Sequence, residues 1–163
     1  MNLDNELKLA KLAAKNAGIF LIKEKVSLSK TIYSQQKDIK LDADIQTEAL
    51  IKDLLSKDSD YPILGEESGP SVKDLGITYW VIDPLDGTAN YAKNIPICCV
   101  SIALIHAGDP VLGVIYDFNH DDMYSGSINH KAKLNNNEIN VSDIADKSKG
   151  TLVTGLPAKT DFS

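Results

Sequence analysis

Cysteine is scarce in this 163-residue chain, which has two, Cys98 and Cys99. Adjacent residues make a strained disulfide, and two thiols offer no second pair for a structural zinc site, so neither a disulfide scaffold nor a zinc module is expected. The pair reads instead as small apolar side chains on a strand. Long apolar runs are missing as well. No stretch reaches the roughly 18 residues of a membrane helix. The amino-terminal "MNLDNELKLAKLAAKN" is charged and amphipathic, without the apolar core and cleavage site of a secretory leader. The expected location is the cytoplasm, with no membrane partner. Positive charge is in deficit, 17 Lys and Arg against 23 Asp and Glu, for a net charge of −6. Such a surface does not draw nucleic acid or an anionic bilayer, and an anionic substrate would need local help. Histidine is limited to His106, His120 and His130, scattered at no ligand or nucleophile-base spacing, and solvated loop positions are expected for them.

What is present suffices for one ordinary domain: 43% hydrophobic and 25% charged residues can bury a core. Leu3, Leu7, Ala10, Ala14, Ala17 and Leu21 recur at steps of four and three, which predicts an amphipathic helix to about Val26. A second stripe, Thr47, Leu50, Ile51, Leu54 and Leu55, predicts another helix ending near Lys57, preceded by the acids Asp38, Asp42 and Asp44. After Pro62 the pattern changes to short β-rich runs, "PILG", "TYWVID", "CCVSIALI", "VLGVIYDF", "DMYSG" and "TLVTG", separated by turn residues such as Ala107-Gly108-Asp109-Pro110. The polar "KLNNNEINVS" suits a hairpin turn. Two helices followed by a run of strands predict an α+β fold in which two long helices pack on one face of a mainly antiparallel sheet.

The chemistry concentrates in "TYWVIDPLDG". Asp83 ends an apolar run, Pro84 is expected to turn the chain, and Asp86 then comes back within reach of Asp83. Two carboxylates at such a corner raise each other's pKa unless they share a cation, and the next basic residue is Lys93. A hard divalent cation such as Mg²⁺ resolves the conflict, taking both carboxylates and the main-chain carbonyl of Leu85 while leaving positions for water and phosphate. The competing reading is that Asp86-Gly87-Thr88 is simply an Asx turn and helix cap. Gly87 and Thr88 precede "ANYAK", which can start a helix, so their amides would favour an anion. Acids that hold metal beside amides that hold an anion suit a metal-assisted attack of water on phosphorus. In "GEESG", Glu66 and Glu67 taken alone read as solvated loop acids.

"GEES" followed by "WVIDPLDGTANYAKNIPICCVSIAL" resembles the signature region of the inositol monophosphatases, within the larger group of Mg²⁺-dependent, Li⁺-sensitive sugar and nucleotide phosphatases. The resemblance runs from the first helix through "KDIKLDADIQTE" to "TLVTGLP". It implies the N-terminal half of a layered α/β/α/β/α fold and a role for each matching residue. Glu66 would bind the first metal and its water, Asp83 would bridge two metals, the Leu85 carbonyl would bind the first and Asp86 the second. Thr88, paired with Asp44, would help deprotonate the attacking water, while the Gly87 and Thr88 amides hold the phosphate. Glu67 and Asp38 would have supporting roles.

Members of the family are longer. Their C-terminal α/β half supplies a further metal-binding aspartate and most contacts to the sugar or nucleotide. Residues 1–150 are therefore expected to form the metal-binding α+β domain and 151–163 to begin a second domain that is otherwise absent, so the chain as it stands should turn over poorly. The resemblance implies Mg²⁺-dependent hydrolysis of a small phosphate monoester, inositol monophosphate or a related sugar phosphate, by a homodimer when full-length. "DGTANYAKNIP" is closer to the inositol phosphatases than to the bisphosphate nucleotidases. The alternatives are a fructose-1,6-bisphosphatase or 3'-phosphoadenosine 5'-phosphate phosphatase of the same group and, in another class, a non-catalytic metal-binding structural or regulatory domain.

Overall fold

The computed structural model describes residues 2–28, 31–35 and 38–151. The "TLVTG" strand and the opening of a second domain fall almost wholly outside them. Helix α1 (Asp4–Leu28) and helix α2 (Asp42–Asp58) flank a hairpin of β1 (Thr31–Gln35) and β2 (Asp38–Leu41). The stripe predicted for α1 is the face it buries, with Leu3, Ala10, Ala14, Ala17 and Leu21 wholly enclosed. Asp4 and Glu6 in its first turn complement the positive end of the helix dipole. Helix α2 begins earlier than its apolar stripe suggests, so that Asp42 and Asp44 lie within its first turn. Acids are favoured there for the same electrostatic reason, and a pattern made only of apolar residues misses them.

The remaining strands are β3 (Ile63–Gly65), β4 (Gly69–Pro70), β5 (Thr78–Asp86), β6 (Cys99–His106), β7 (Asp109–Asp117), β8 (Asp122–Ser127), β9 (His130–Leu134) and β10 (Asn137–Glu138), with a short helix α3 (Thr88–Ala92) after β5. They form an eight-stranded sheet in the order β10-β9-β8-β7-β6-β5-β3-β4. All neighbours are antiparallel except β3 and β5, which run parallel. Helix α1 lies across β6 to β8 and beside α2, which packs on β5. The alternation of each strand therefore decides its burial: Val114 and Tyr116 of β7 are in the core, while Gly113 and Ile115 face outward. On β5, Trp80 and Ile82 pair with Leu104 and Ile102 of β6 in the same buried layer. No helix among the described residues is long and apolar enough to cross a membrane.

Two local expectations are corrected. Pro84 does not turn the chain; β5 continues through it to Asp86, and the register with β6 slips between Asp83 and Asp86. A bulge accommodates proline because the missing N–H falls where ladder pairing is already broken. His106 is not a loop residue but ends β6, its Nδ1 lying 2.8 Å from the Thr78 hydroxyl.

Candidate active site

The bulge at the end of β5 gathers the acids. Asp83 is half-buried and its Oδ1 accepts the Leu85 N–H at 3.1 Å, which folds the side chain back over the irregular strand. Glu66 follows β3, and its N–H donates to the Ile82 carbonyl at 3.2 Å, so the parallel pairing of β3 with β5 brings Glu66 beside Asp83. Burial first, then the neighbouring Glu66 carboxyl and the charge of Asp86, push the Asp83 carboxyl up to about 7.

Asp86 is exposed at the strand end and accepts from the Cys99 thiol at 3.8 Å. Burial, with the charges of Asp86 and Asp83, pushes that thiol up to about 12, so Cys99 stays protonated and acts as a weak donor. Gly87 then turns the chain into α3 with φ 92°, a conformation that costs a residue with a Cβ but not glycine. No side chain caps α3, so Asp86 does not serve as the helix cap offered as the competing reading. Tyr91 pins α3 from within, its hydroxyl donating to the Leu21 carbonyl of α1 at 2.8 Å.

Thr88 is thereby held over the first turn of α2. Its Oγ1 lies 3.0 Å from Oδ1 of Asp44 and 3.1 Å from the Leu85 carbonyl. The hydroxyl has one proton, and either oxygen can receive it. Asp44, 2% exposed, is a buried base that reaches the sheet rim from a helix, across 44 residues of sequence.

One residue of the assembly had no role assigned from sequence. Glu48, 3% exposed, lies one helical turn after Asp44 on α2. Its Oε2 accepts the Glu67 N–H at 2.8 Å and its Oε1 is 3.0 Å from Lys52 Nζ, while Lys52 also bonds the Ser68 hydroxyl. Burial raises the Glu48 carboxyl, but Ser68, Glu67 and Lys52 together outweigh it and hold the group below its usual range. A Cβ on Gly65 would come within 2.5 Å of this carboxylate, so the "GEES" loop closes on Glu48 only because Gly65 lacks a side chain. Glu67 enters through its main chain. The signal was available: Asp44 and Glu48 stand four apart on a helix, hence on one face. The side chain of Asp38 lies outside the described residues.

The structure therefore brings Glu66, Asp83 and Asp86 into electrostatic contact, and Asp44 to Thr88. Among the described residues no group of three or more His, Cys, Asp or Glu side chains is arranged to hold a metal ion. The chemistry still fits a hard cation. The donors are all oxygen, and the Asp83 carboxyl, pushed up to about 7 by burial and two neighbouring acids, marks a cluster in which positive charge is short.

A profile of the inositol monophosphatase family matches residues 2–161. The chain is 37% identical over 147 residues to a Nus factor SuhB of Xylella fastidiosa, covering 88% of this chain and 53% of that protein. It is 34% identical over 164 residues to a fructose-1,6-bisphosphatase/inositol-1-monophosphatase of Aquifex aeolicus, covering 98% and 61%. The solved structure of an inositol monophosphatase from Anabaena (Nostoc) sp. superposes with a TM-score of 0.73 at 37% identity, over 88% of this chain and 52% of the other. The chain spans about half the length of these relatives.

Proposed function

This chain belongs to the inositol monophosphatase family, and from that premise we propose that it carries the carboxylate centre of a Mg²⁺-dependent hydrolysis of a small phosphate monoester, inositol monophosphate or a related sugar phosphate. The observation that carries the reading is the 3.0 Å bond from Thr88 to the buried Asp44, next to the acids Glu66, Asp83 and Asp86. Thr88 can pass its proton to Asp44 while accepting one from a water on its other side, and the fixed geometry of α3 keeps the hydroxyl aimed. The Gly87 and Thr88 amides meet the phosphate. Bound Mg²⁺, held by Glu66, Asp83, Asp86 and the Leu85 carbonyl, would supply Lewis acidity and lower the pKa of water. A cytoplasmic homodimer and a second domain opening at residues 151–163 belong to the same reading.

The test is phosphate release by the protein expressed from its complete reading frame, offered inositol monophosphate, fructose bisphosphate and phosphoadenosine phosphate with and without Mg²⁺. The expected result is Mg²⁺-dependent release, greatest with inositol monophosphate. Fructose bisphosphate is the next substrate in line because the Aquifex aeolicus relative is named for both activities. Mg²⁺ binding with silence on all three substrates would sink the enzyme reading and favour a non-catalytic metal-binding module.

A further inference from the structure

A cavity of about 350 Å³ opens between the first turns of α1 and the hairpin of β8 and β9, and it shares no lining residue with the acidic bulge. Lys8 and Lys11 line it from the helix, His130, Lys131 and Lys133 from the hairpin, and Asp4 is the only acid in its wall among the described residues. That gathering of four lysines is unexpected in a chain of net charge −6.

Some of the charge is matched. His130 Nε2 lies 2.7 Å from Asp4 Oδ1, and Lys131 Nζ lies 3.0 Å from Glu138 Oε2. Asp4 also feels Lys8, which helps hold its carboxyl below the usual range after the His130 bond has done most. Lys8, Lys11 and Lys133 make no ion pair with any described residue. Lys11 is half-buried, and burial followed by the facing charge of Lys133 lowers its ammonium pKa. Like charges brought together and partly stripped of water cost free energy, which an anion placed among them returns. Buried Ser125 adds a hydroxyl to the wall.

We propose that this cavity is a second anion-binding site, for a small phosphate-bearing molecule with two or more negative charges, independent of the carboxylate centre. Its volume falls at the lower end of small-molecule sites, with room for a phosphate and a modest organic body. Lysines act as mobile point charges, whereas a fixed planar fork would select one geometry; the site therefore reads charge more than shape.

The experiment is a titration of the whole chain with inorganic phosphate and pyrophosphate at low ionic strength, in EDTA, followed by backbone amide shifts. The expected result is a saturable shift at Lys11, Ser125 and Lys133, tighter for pyrophosphate. Combining Lys11→Met with Lys133→Met should weaken binding about tenfold or more, while Thr88→Ala leaves it unchanged. Should the methionine pair disturb the fold, Lys11→Arg with Lys133→Arg, which keeps the charge, is expected to retain binding. Shifts that never saturate, shifts centred on Gly87 and Thr88, or saturable binding indifferent to the methionine pair would each overturn the proposal. Tighter binding of an oligoglutamate than of pyrophosphate at the same residues would overturn the ligand class.

Discussion

Asp83 within β5 and Thr88 at the start of α3 make opposite predictions. The folded state holds the Asp83 proton up to about pH 7, against an ordinary value of 3.8. The folded protein therefore binds that proton more tightly than the unfolded one. Stability from this group is fully present below the ordinary value and is lost as pH rises through 7. In EDTA, the melting temperature of the wild type should fall across that window relative to Asp83→Asn, which has no proton to lose. Parallel pH profiles for the two proteins would contradict the shift. Thr88→Ala removes the hydroxyl that Asp44 holds. In the full-length protein it should lower kcat by about 100- to 10,000-fold with little change in the Mg²⁺ concentration that half-activates the enzyme. An equal loss in both constants would make Thr88 a structural contact.

Helix α2 and the "GEES" loop form a unit whose parts depend on each other. Glu48→Ala strands the Glu67 N–H and costs about 1–3 kcal/mol, checked by chemical denaturation and by faster hydrogen exchange at the Glu67 amide. Gly65→Ala places a methyl group against the same carboxylate and costs about 1–3 kcal/mol by overpacking. The two changes should not add, because removing the Glu48 side chain also removes the clash. In a double-mutant cycle, Gly65→Ala is expected to cost far less in the Glu48→Ala background than in the wild type. Additive costs would mean that the loop approaches α2 for some other reason. The helices themselves were readable from their apolar stripes. Strands β9 and β10 were not, since the short, polar His-Lys-Ala-Lys-Leu and Asn-Glu leave no apolar alternation to read.

Across the whole molecule, a cation that binds the folded centre and not the unfolded chain must stabilise the fold. Mg²⁺ at about a hundred times its dissociation constant should add about 2.7 kcal/mol, seen as a higher melting temperature above pH 7 that Asp83→Asn largely abolishes. No shift in the wild type would remove the carboxylate centre as a metal site. The α+β architecture was available from residue order, because helix stripes, strand alternation and turn residues are local patterns, and the family from the resemblance carried by the "GEES" and "WVIDPLDGTANYAKN" segments. Residue types also announced an oxygen-rich site. Three matters waited on the packed chain: Glu48 as the brace of the loop, the continuation of β5 through Pro84, and the burial of Asp83 beside Glu66 and Asp86. Each depends on distances between segments far apart in sequence, and burial and charge act through space, so a linear pattern carries their ingredients but not their sum.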